Sequence, residues 1–301
     1  MNFEVIVSDN NSIDGSVEFI RKNYPAVRVL ENSANLGFAK GNNAGIRASH
    51  GDYVLILNPD TIIHDGSLDA FVAFAERHPE AGAFGCKVLN ADGTYQVSAR
   101  LFPTIWRYWV AALYLKSLAN FCRLFTYEEY PHWRGDTERV IDWQSGCCVM
   151  FRRELLKRLR GFDEQFFYHF EEVDLCRRVW NAGFAIRFTA EAVITHLGGQ
   201  SVKRFPIRFE IEKHRSRYRY FYKHFGAKAA NRCRHLSIAK IRVRQLGYGL
   251  AALFKPTDAL RSRLEMYRAV LRWNKALDPV GFVERGEEPQ TERLALPQPS
   301  S

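Results

Sequence analysis

Short apolar runs alternate with longer segments whose apolar residues recur three and four apart. Residues 3–7, 27–30, 53–57 and 82–88 are strand-length runs rich in Val, Ile, Leu and Phe. Residues 14–22 and 67–77 read as helices, and 35–45 as a Gly/Asn-rich loop opening into one. This alternation, with short connections, predicts a mostly parallel α/β sheet flanked by helices. Residues 140–142, 147–151, 185–188 and 192–195 add strands, and 153–160 a helix. Val173, Cys176, Val179 and Trp180 form the apolar face of another helix, which runs to about residue 180. Residues 104–125, amphipathic and aromatic, read as a lid or surface helix, with a core-packed helix as the alternative. From residue 205 the pattern changes to long basic amphipathic helices with Tyr218, Phe221, Tyr222 and Phe225, then Leu246, Leu250 and Leu253. Pro256 opens a further helix over about 257–273. The Pro-, Glu- and Gln-rich stretch 279–301 is expected to be disordered. The expected division is therefore 1–204, an α/β domain; 205–278, a basic helical region; and 279–301, a tail.

Charge sharpens this division. The 301 residues carry a formal net charge of +10, and 203–275 hold 20 Lys/Arg against four acids. Such a segment points to a polyanion: nucleic acid, an anionic membrane surface or a phosphate-bearing substrate. No nucleic-acid motif accompanies it, so nucleic acid is the least favoured partner. No apolar run is long enough to predict a spanning helix, and the polar, strand-like first residues do not read as a secretory signal. The six cysteines lack metal-site spacing, and Cys147-Cys148 sits in an apolar run. That is the pattern of a reduced, cytosolic chain.

Candidate chemistry gathers at a few positions. Glu171, Glu172 and Asp174 lie where a helical pattern begins, with Glu171 and Glu172 in its first turn, where the helix dipole favours the ionised carboxylate. An ionised carboxylate suits a general base, and a solvated acidic cap is the alternative. Asp9 and Asp60 each follow a strand, so both face the crevice where α/β sheets bind ligands. Asn58-Pro59-Asp60-Thr61 places a carboxylate able to hold a divalent metal against a diphosphate. His196 closes a later strand before two glycines and is either a second metal ligand or a hydrogen-bonded surface residue.

The order of these motifs is more specific than any one of them. G-F-A-K-G-N-N follows the strand ending in Asp9, then N-P-D, then W-Q-S-G-C-C-V-M-F-R-R-E. F-D-E-Q-F-F-Y-H-F-E-E-V-D-L-C-R-R and T-H-L-G-G-Q-S complete the series. Over about residues 3–225 the chain resembles the family-2 inverting glycosyltransferases, in particular their bacterial rhamnosyltransferase-like branch. The resemblance implies a GT-A (Rossmann-like) fold. It places Asp9, Asn35, Gly37, Lys40, Asn42 and Asn58 at the nucleotide-sugar donor. Asp60 and His196 become ligands of a divalent metal, Mg²⁺ or Mn²⁺, and Trp143 becomes an acceptor contact. Glu172 stands where the family's catalytic Asp stands, with Glu171 and Asp174 as fallback bases. Members usually begin with a further strand and loop touching the nucleotide, and this chain is expected to lack that first strand.

The resemblance further implies a metal-dependent inverting glycosyltransferase of cell-surface polysaccharide synthesis. It is expected in the cytoplasm, peripheral at the inner face of the cell membrane. The donor is a nucleoside-diphosphate sugar, rhamnose from dTDP or another hexose from UDP or GDP. The acceptor is a glycan or a lipid-linked sugar. A catalytically impaired nucleotide-sugar-binding protein is the rival reading, and a nucleotidyltransferase fits the helix-borne acids less well.

Overall fold

The chain opens with a two-stranded parallel pair, β1 (Ile6–Asp9) and β2 (Arg28–Glu31), joined through helix α1 (Ser16–Asn23). Helix α2 (Gly37–Ala48) leads to β3 (Tyr53–Leu57), and a three-residue turn leads on to β4 (Thr61–Ile63). Helix α3 (Ser67–Arg77) and β5 (Ala81–Leu89) follow. Next come β6 (Ala99–Arg100), β7 (Arg139–Val140), β8 (Trp143–Gln144) and β9 (Cys148–Arg152). The computed structural model describes residues 2–120, 122–198, 206–255 and 257–286. They fall into two units, 1–102 with 128–198 and 103–127 with 199–301.

In the first unit the main sheet runs β3-β9-β5-β10-β4, with β7 also on β10 (Ala185–His196). The α/β, GT-A-like architecture is as expected, but the sheet is mixed rather than mostly parallel. Strands β3, β5 and β10 share one direction, and β4, β7 and β9 oppose them. The connections explain this. A parallel neighbour needs a crossover of a dozen or more residues, and β4 follows β3 after only three. Strand β9 starts from a turn at the edge where β3 and β5 end, so it runs back against both. The two strands expected at 185–188 and 192–195 are one strand, β10, whose register shifts between Thr189 and Val193.

The core lies between α3 and the sheet: Phe71 and Phe74 pack with Phe84, Cys86, Val88, Cys147, Cys148, Met150 and Ile194. Cys147-Cys148 is core packing, as its apolar run predicted. Arg152 ties the layers together. Its Nη2 donates to the carbonyls of Ala75 and His78 at the end of α3, at 2.9 and 3.0 Å, and its Nε donates to Ala81 O at 2.8 Å. The guanidinium thus satisfies carbonyls that a helix C-terminus leaves open. Helix α5 (Arg153–Arg158) follows β9, and α6 (Glu171–Asn181) carries the acidic cluster.

The second unit is helical. Residues 103–127, expected within a 1–204 catalytic domain, belong to it. They form α4 (Ile105–Ala112), which packs on α8, and two 3₁₀ turns. The other helices are α7 (Pro206–Phe225), α8 (Ala227–Phe254), α9 (Asp258–Ala276) and α10 (Pro279–Arg285). Tyr218 and Phe221 of α7 are buried, with Cys233 of α8 and Val270 and Trp273 of α9. Leu246, Leu250 and Leu253, equally apolar in the sequence, are exposed. Helix α10 lies in the stretch expected to be disordered. Asp278 caps it by accepting from Val280 N and Gly281 N, and Pro279 opens it. The rest of that stretch, 287–301, the glycine-containing segment 199–205 and Pro256 lie outside the described residues.

Candidate active site

Strands β3, β5 and β10 all end at one edge of the sheet, and two of the predicted ligands meet there. Strand β4 pairs antiparallel with β10 so that Thr61 faces His196. This register puts Asp60 beside the imidazole, with Asp60 Oδ1 3.2 Å from His196 Nε2. Asn58 Nδ2 is 3.4 Å from the same nitrogen. The other ring nitrogen, Nδ1, lies 2.8 Å from Gln96 Oε1. Among the described residues no group of three or more His, Cys, Asp and Glu could hold a metal. A carboxylate and an imidazole nevertheless fit Mg²⁺ or Mn²⁺, which take few protein ligands and complete their shell with phosphate oxygens and water.

The expected donor residues gather around α1's approach and the start of α2. Asp9, buried at the end of β1, accepts from Ser12 N through Oδ2 at 3.0 Å. Asn35 Oδ1 accepts from Gly37 N at 3.0 Å and fixes the turn into α2. Gly37 has φ 79°, and a Cβ there would sit 2.7 Å from the Phe167 carbonyl oxygen. That contact brings the loop against the residues leading into the acidic helix, and Phe38 N donates to Phe167 O at 3.2 Å. Lys40 is exposed. Asn42 donates to Phe38 O within its own helix. Three further asparagines, not expected at the site, hold this region together. Asn10 donates to Gly37 O, and Asn32 donates to both Ser8 Oγ and Asn10 Oδ1. Asn43, buried, accepts from Phe162 N and donates to Phe162 O, each at 2.9 Å. For Asn32 and Asn43 the signal was an unusual density of asparagine in 32–43; Asn10 lies outside it.

The acidic helix is entered through two left-handed residues, His169 (φ 62°) and Phe170 (φ 70°). Neither is glycine, so the conformation costs about 1–3 kcal/mol per residue. Glu171, Glu172 and Asp174 are all buried, at 4, 7 and 0% exposure, which excludes a solvated cap. Asp174 Oδ2 accepts from Arg178 Nε at 2.8 Å, and Arg178 also donates to the carbonyls of Leu159 and Gly161. Asp174 therefore anchors the preceding segment. Oε2 of Glu171 and of Glu172 is buried with no hydrogen-bond partner among the described residues. The helix dipole does not keep these two carboxyls ionised as expected. Burial raises Glu172 to about 7, although backbone N–H groups and Arg100 pull it down. Burial, and then the charge of Glu172, push Glu171 well above the carboxylate range.

One tight turn links the base candidate to the metal pair. A Cβ on Gly146 would stand 3.1 Å from Phe38 Cζ and 3.7 Å from Glu172 Cβ. The next residue, Cys147, accepts from Asn58 N at 3.0 Å, and Asn58 touches His196. Phe38, Glu172 and Asn58 therefore border the 145–147 turn, and Asn58 joins it to the Asp60–His196 pair. Trp143 is buried, its indole N–H donates to Leu101 O at 3.0 Å, and Arg100 lies over its ring at 5.9 Å.

Residues 1–160 match the sequence profile described as "Glycosyl transferase family 2". An N-acetylglucosaminyl-diphospho-decaprenol L-rhamnosyltransferase of Mycobacterium tuberculosis is 32% identical over 228 residues, covering 71% of this chain and 73% of that protein. Rhamnosyltransferase WbbL of Escherichia coli K12 is 24% identical over 195 residues, covering 62% of this chain and 70% of that one. The mannosyltransferase PcManGT of Pyrobaculum calidifontis, solved with GDP-Man and Mn²⁺, superposes with a TM-score of 0.50 at 17% identity. The likeness covers 95% of this chain and 79% of that one, and it shows the fold alone.

The buried pair makes stability fall as pH rises. Between Glu172's ordinary value of 4.5 and about 7, the unfolded chain releases a proton that the folded chain keeps. Glu172→Gln removes this loss. The variant should match the wild type near pH 4.5 and exceed it by about 2–3 kcal/mol at pH 8. Urea unfolding at the two pH values measures the difference, and an equal gap at both would refute it.

Proposed function

The chain belongs to glycosyl transferase family 2, and from that premise we propose its reaction. It moves rhamnose from a nucleoside-diphosphate donor to a lipid-linked diphosphate sugar, inverting the anomeric carbon. The observation that carries this reading is the buried, unpartnered Oε2 of Glu172, whose stem meets the 145–147 turn, a turn that Asn58 joins to the Asp60–His196 pair. The sugar and acceptor follow the Mycobacterium tuberculosis relative, named for rhamnose transfer to a diphospho-decaprenol-linked sugar.

Glu172 Oε2 accepts the proton of an acceptor hydroxyl as that oxygen bonds to the anomeric carbon. The bond from that carbon to the diphosphate breaks on the opposite face, and the diphosphate leaves with the electron pair. When bound, a divalent cation supplies positive charge to the diphosphate. Asp60 and His196 are the side chains that would hold it. Asn35, Gly37 and Asn10 shape the loop that would border the donor, and Asp9 lies at its far end. Burial excludes water from the base, which limits hydrolysis of the donor.

The helical unit supports an interfacial role at the cytoplasmic face of the membrane. Val243, Leu246, Leu250 and Leu253 recur at helical spacing along α8 and are exposed, as is Phe254. Arg242 and Lys255, both exposed, flank them. On α4, Trp106, Trp109 and Leu113 form a second exposed stripe. Tyr114, just beyond it, accepts from Arg244 of α8 at 3.2 Å. Leu and Phe with Trp, Tyr and cationic residues suit an anionic bilayer surface. Among the described residues no helix is long and apolar enough to cross a membrane.

Glu172→Gln should lower kcat by about 10²–10⁴-fold while leaving donor affinity within a few fold. The wild-type kcat/KM should rise with pH up to about 7, where Glu172 loses its proton. Full turnover in the variant would remove Glu172 as the base. Asp60→Ala should abolish the Mn²⁺ dependence of nucleoside-diphosphate binding in calorimetry; an unchanged Mn²⁺ titration would count against the metal assignment. The full chain should pellet with phosphatidylglycerol vesicles and much less with phosphatidylcholine. Leu250→Glu with Leu253→Glu should release it, and retention of the double variant would overturn the bilayer reading.

A further inference from the structure

We propose that Gln96 is a positioning residue that locks His196 in the tautomer bearing its proton on Nδ1. The Nε2 lone pair is then left without a proton, facing Asn58 Nδ2, Asp60 and a bound cation. The proposal rests on the reading of Asp60 and His196 as metal ligands. The tautomer is set at a distance from the ring, in the hairpin 90–96 that follows β5.

That hairpin is closed by Asn90 N donating to Thr94 O at 2.8 Å and Gln96 N donating to Val88 O at 2.8 Å. Gly93 takes φ 81° at its tip. Its side chains form a continuous chain. Thr94 Oγ1 lies 2.6 Å from Asp92 Oδ1, Asn90 Nδ2 2.9 Å from Thr94 Oγ1, and Gln96 Nε2 2.8 Å from Asn90 Oδ1. The fourth link is Gln96 Oε1 to His196 Nδ1.

The direction of every link follows from the first. An ionised carboxylate only accepts, and the Thr94 hydroxyl holds Asp92 below its ordinary range, so Asp92 is ionised at neutral pH. Thr94 must therefore give its one hydroxyl proton to Asp92. Its oxygen can then only accept, so Asn90 turns its NH₂ towards Thr94 and its carbonyl towards Gln96. Gln96 in turn presents its NH₂ to Asn90 and its carbonyl oxygen to His196. A carbonyl oxygen cannot donate, so His196 Nδ1 must carry a hydrogen. In the neutral ring Nε2 then has none. Two acceptors, Nε2 and Asp60 Oδ1, face each other at 3.2 Å, an arrangement that a cation between them resolves. Without Gln96 the neutral ring is free to move its proton to Nε2 and donate it to Asp60, closing the pair to metal. Outer hydrogen bonds of this kind typically change metal affinity about 10–100-fold.

The test reads the tautomer directly. Nitrogen-15 histidine spectra of the metal-free protein at pH 8 should show His196 protonated on Nδ1 only. Gln96→Leu should move the proton to Nε2 and weaken Mn²⁺ binding, followed by electron paramagnetic resonance with uridine or thymidine diphosphate present, by about 10–100-fold. Thr94→Val, on the exposed hairpin tip, should shift the tautomer in the same direction by less. A wild-type ring protonated on Nε2, or on both nitrogens, overturns the proposal without any variant. So does a Gln96→Leu protein with unchanged tautomer and Mn²⁺ affinity. If the wild type has the expected tautomer yet binds no Mn²⁺ with either diphosphate, the metal reading fails, and with it the purpose assigned to Gln96.

Discussion

Two adjacent carboxyls, Glu171 and Glu172, are buried at the start of one helix, and much of the α/β unit is arranged to hold them there. Burial of a carboxylate without a partner is opposed by its lost hydration, and the answer here is partial neutralisation: both groups are shifted towards the protonated form. The helix N-terminus that should favour their ionisation is present, but its N–H groups are outweighed by desolvation. The backbone at His169 and Phe170 is strained as well. Such a segment persists only where its surroundings over-determine it. Arg178 does so from below, binding Asp174 and two carbonyls of the preceding loop. Asn43 does so from the side, holding both polar groups of Phe162.

The same restraints decide which chain segments meet. The 145–147 turn touches Phe38 of the donor loop, the stem of Glu172 and, through Cys147 O, the backbone of Asn58. Gly146 permits this approach, because any side chain would press on Phe38. The proposed base and the proposed metal ligands are thus carried by separate elements, joined through a chain of contacts from Gly146 and Cys147 to Asn58 and on to His196, and catalysis by positioning would depend on that chain holding. The Glu at 172, where the resemblance expects Asp, reaches one methylene further from its helix. Its backbone is set by the His169–Phe170 entry, and its carboxyl is buried rather than in solvent.

Much of this was legible in the sequence. Asp60 and His196 each follow an apolar run, and the strand-edge rule places such residues together; the β4–β10 register completes that inference. The acidic helix was legible from Val173, Cys176 and Val179, but its burial was not. An acidic first turn looks the same in sequence whether it faces water or core, and the difference lies in Gly146 and Phe38, far away in the chain. The mixed sheet was hidden because β4, β7 and β9 show in the sequence at most as short apolar runs, and such a run carries no signal of its direction. Asn10, Asn32, Asn43 and Gln96 were missed for a related reason. They act through long-range hydrogen bonds, and an asparagine in a loop has the same local appearance as one that only turns the chain.

The basic helices show the same limit in another form. Tyr218 and Phe221 on α7 and Leu250 and Leu253 on α8 are alike in spacing, and the leucines are more apolar than the tyrosine, yet the first pair is buried and the second is exposed. What separates them is partnership: α9 and α10 cover α7, whereas beyond Ile241 the outer side of α8 carries Val243, Leu246, Leu250 and Leu253 uncovered. Exposing four aliphatic side chains in register costs about 1.5–3 kcal/mol each relative to burial. The cationic residues at the ends of the stripe do not reduce that cost in water. They do gain at a surface where phosphate lies above acyl chains, because Arg242 and Lys255 can reach the phosphate layer while the leucines lie beneath it. On the proposed membrane reading, one surface would satisfy both the apolar stripe and the two cationic residues at its ends, so that the uncovered leucines and those charges would share a single explanation.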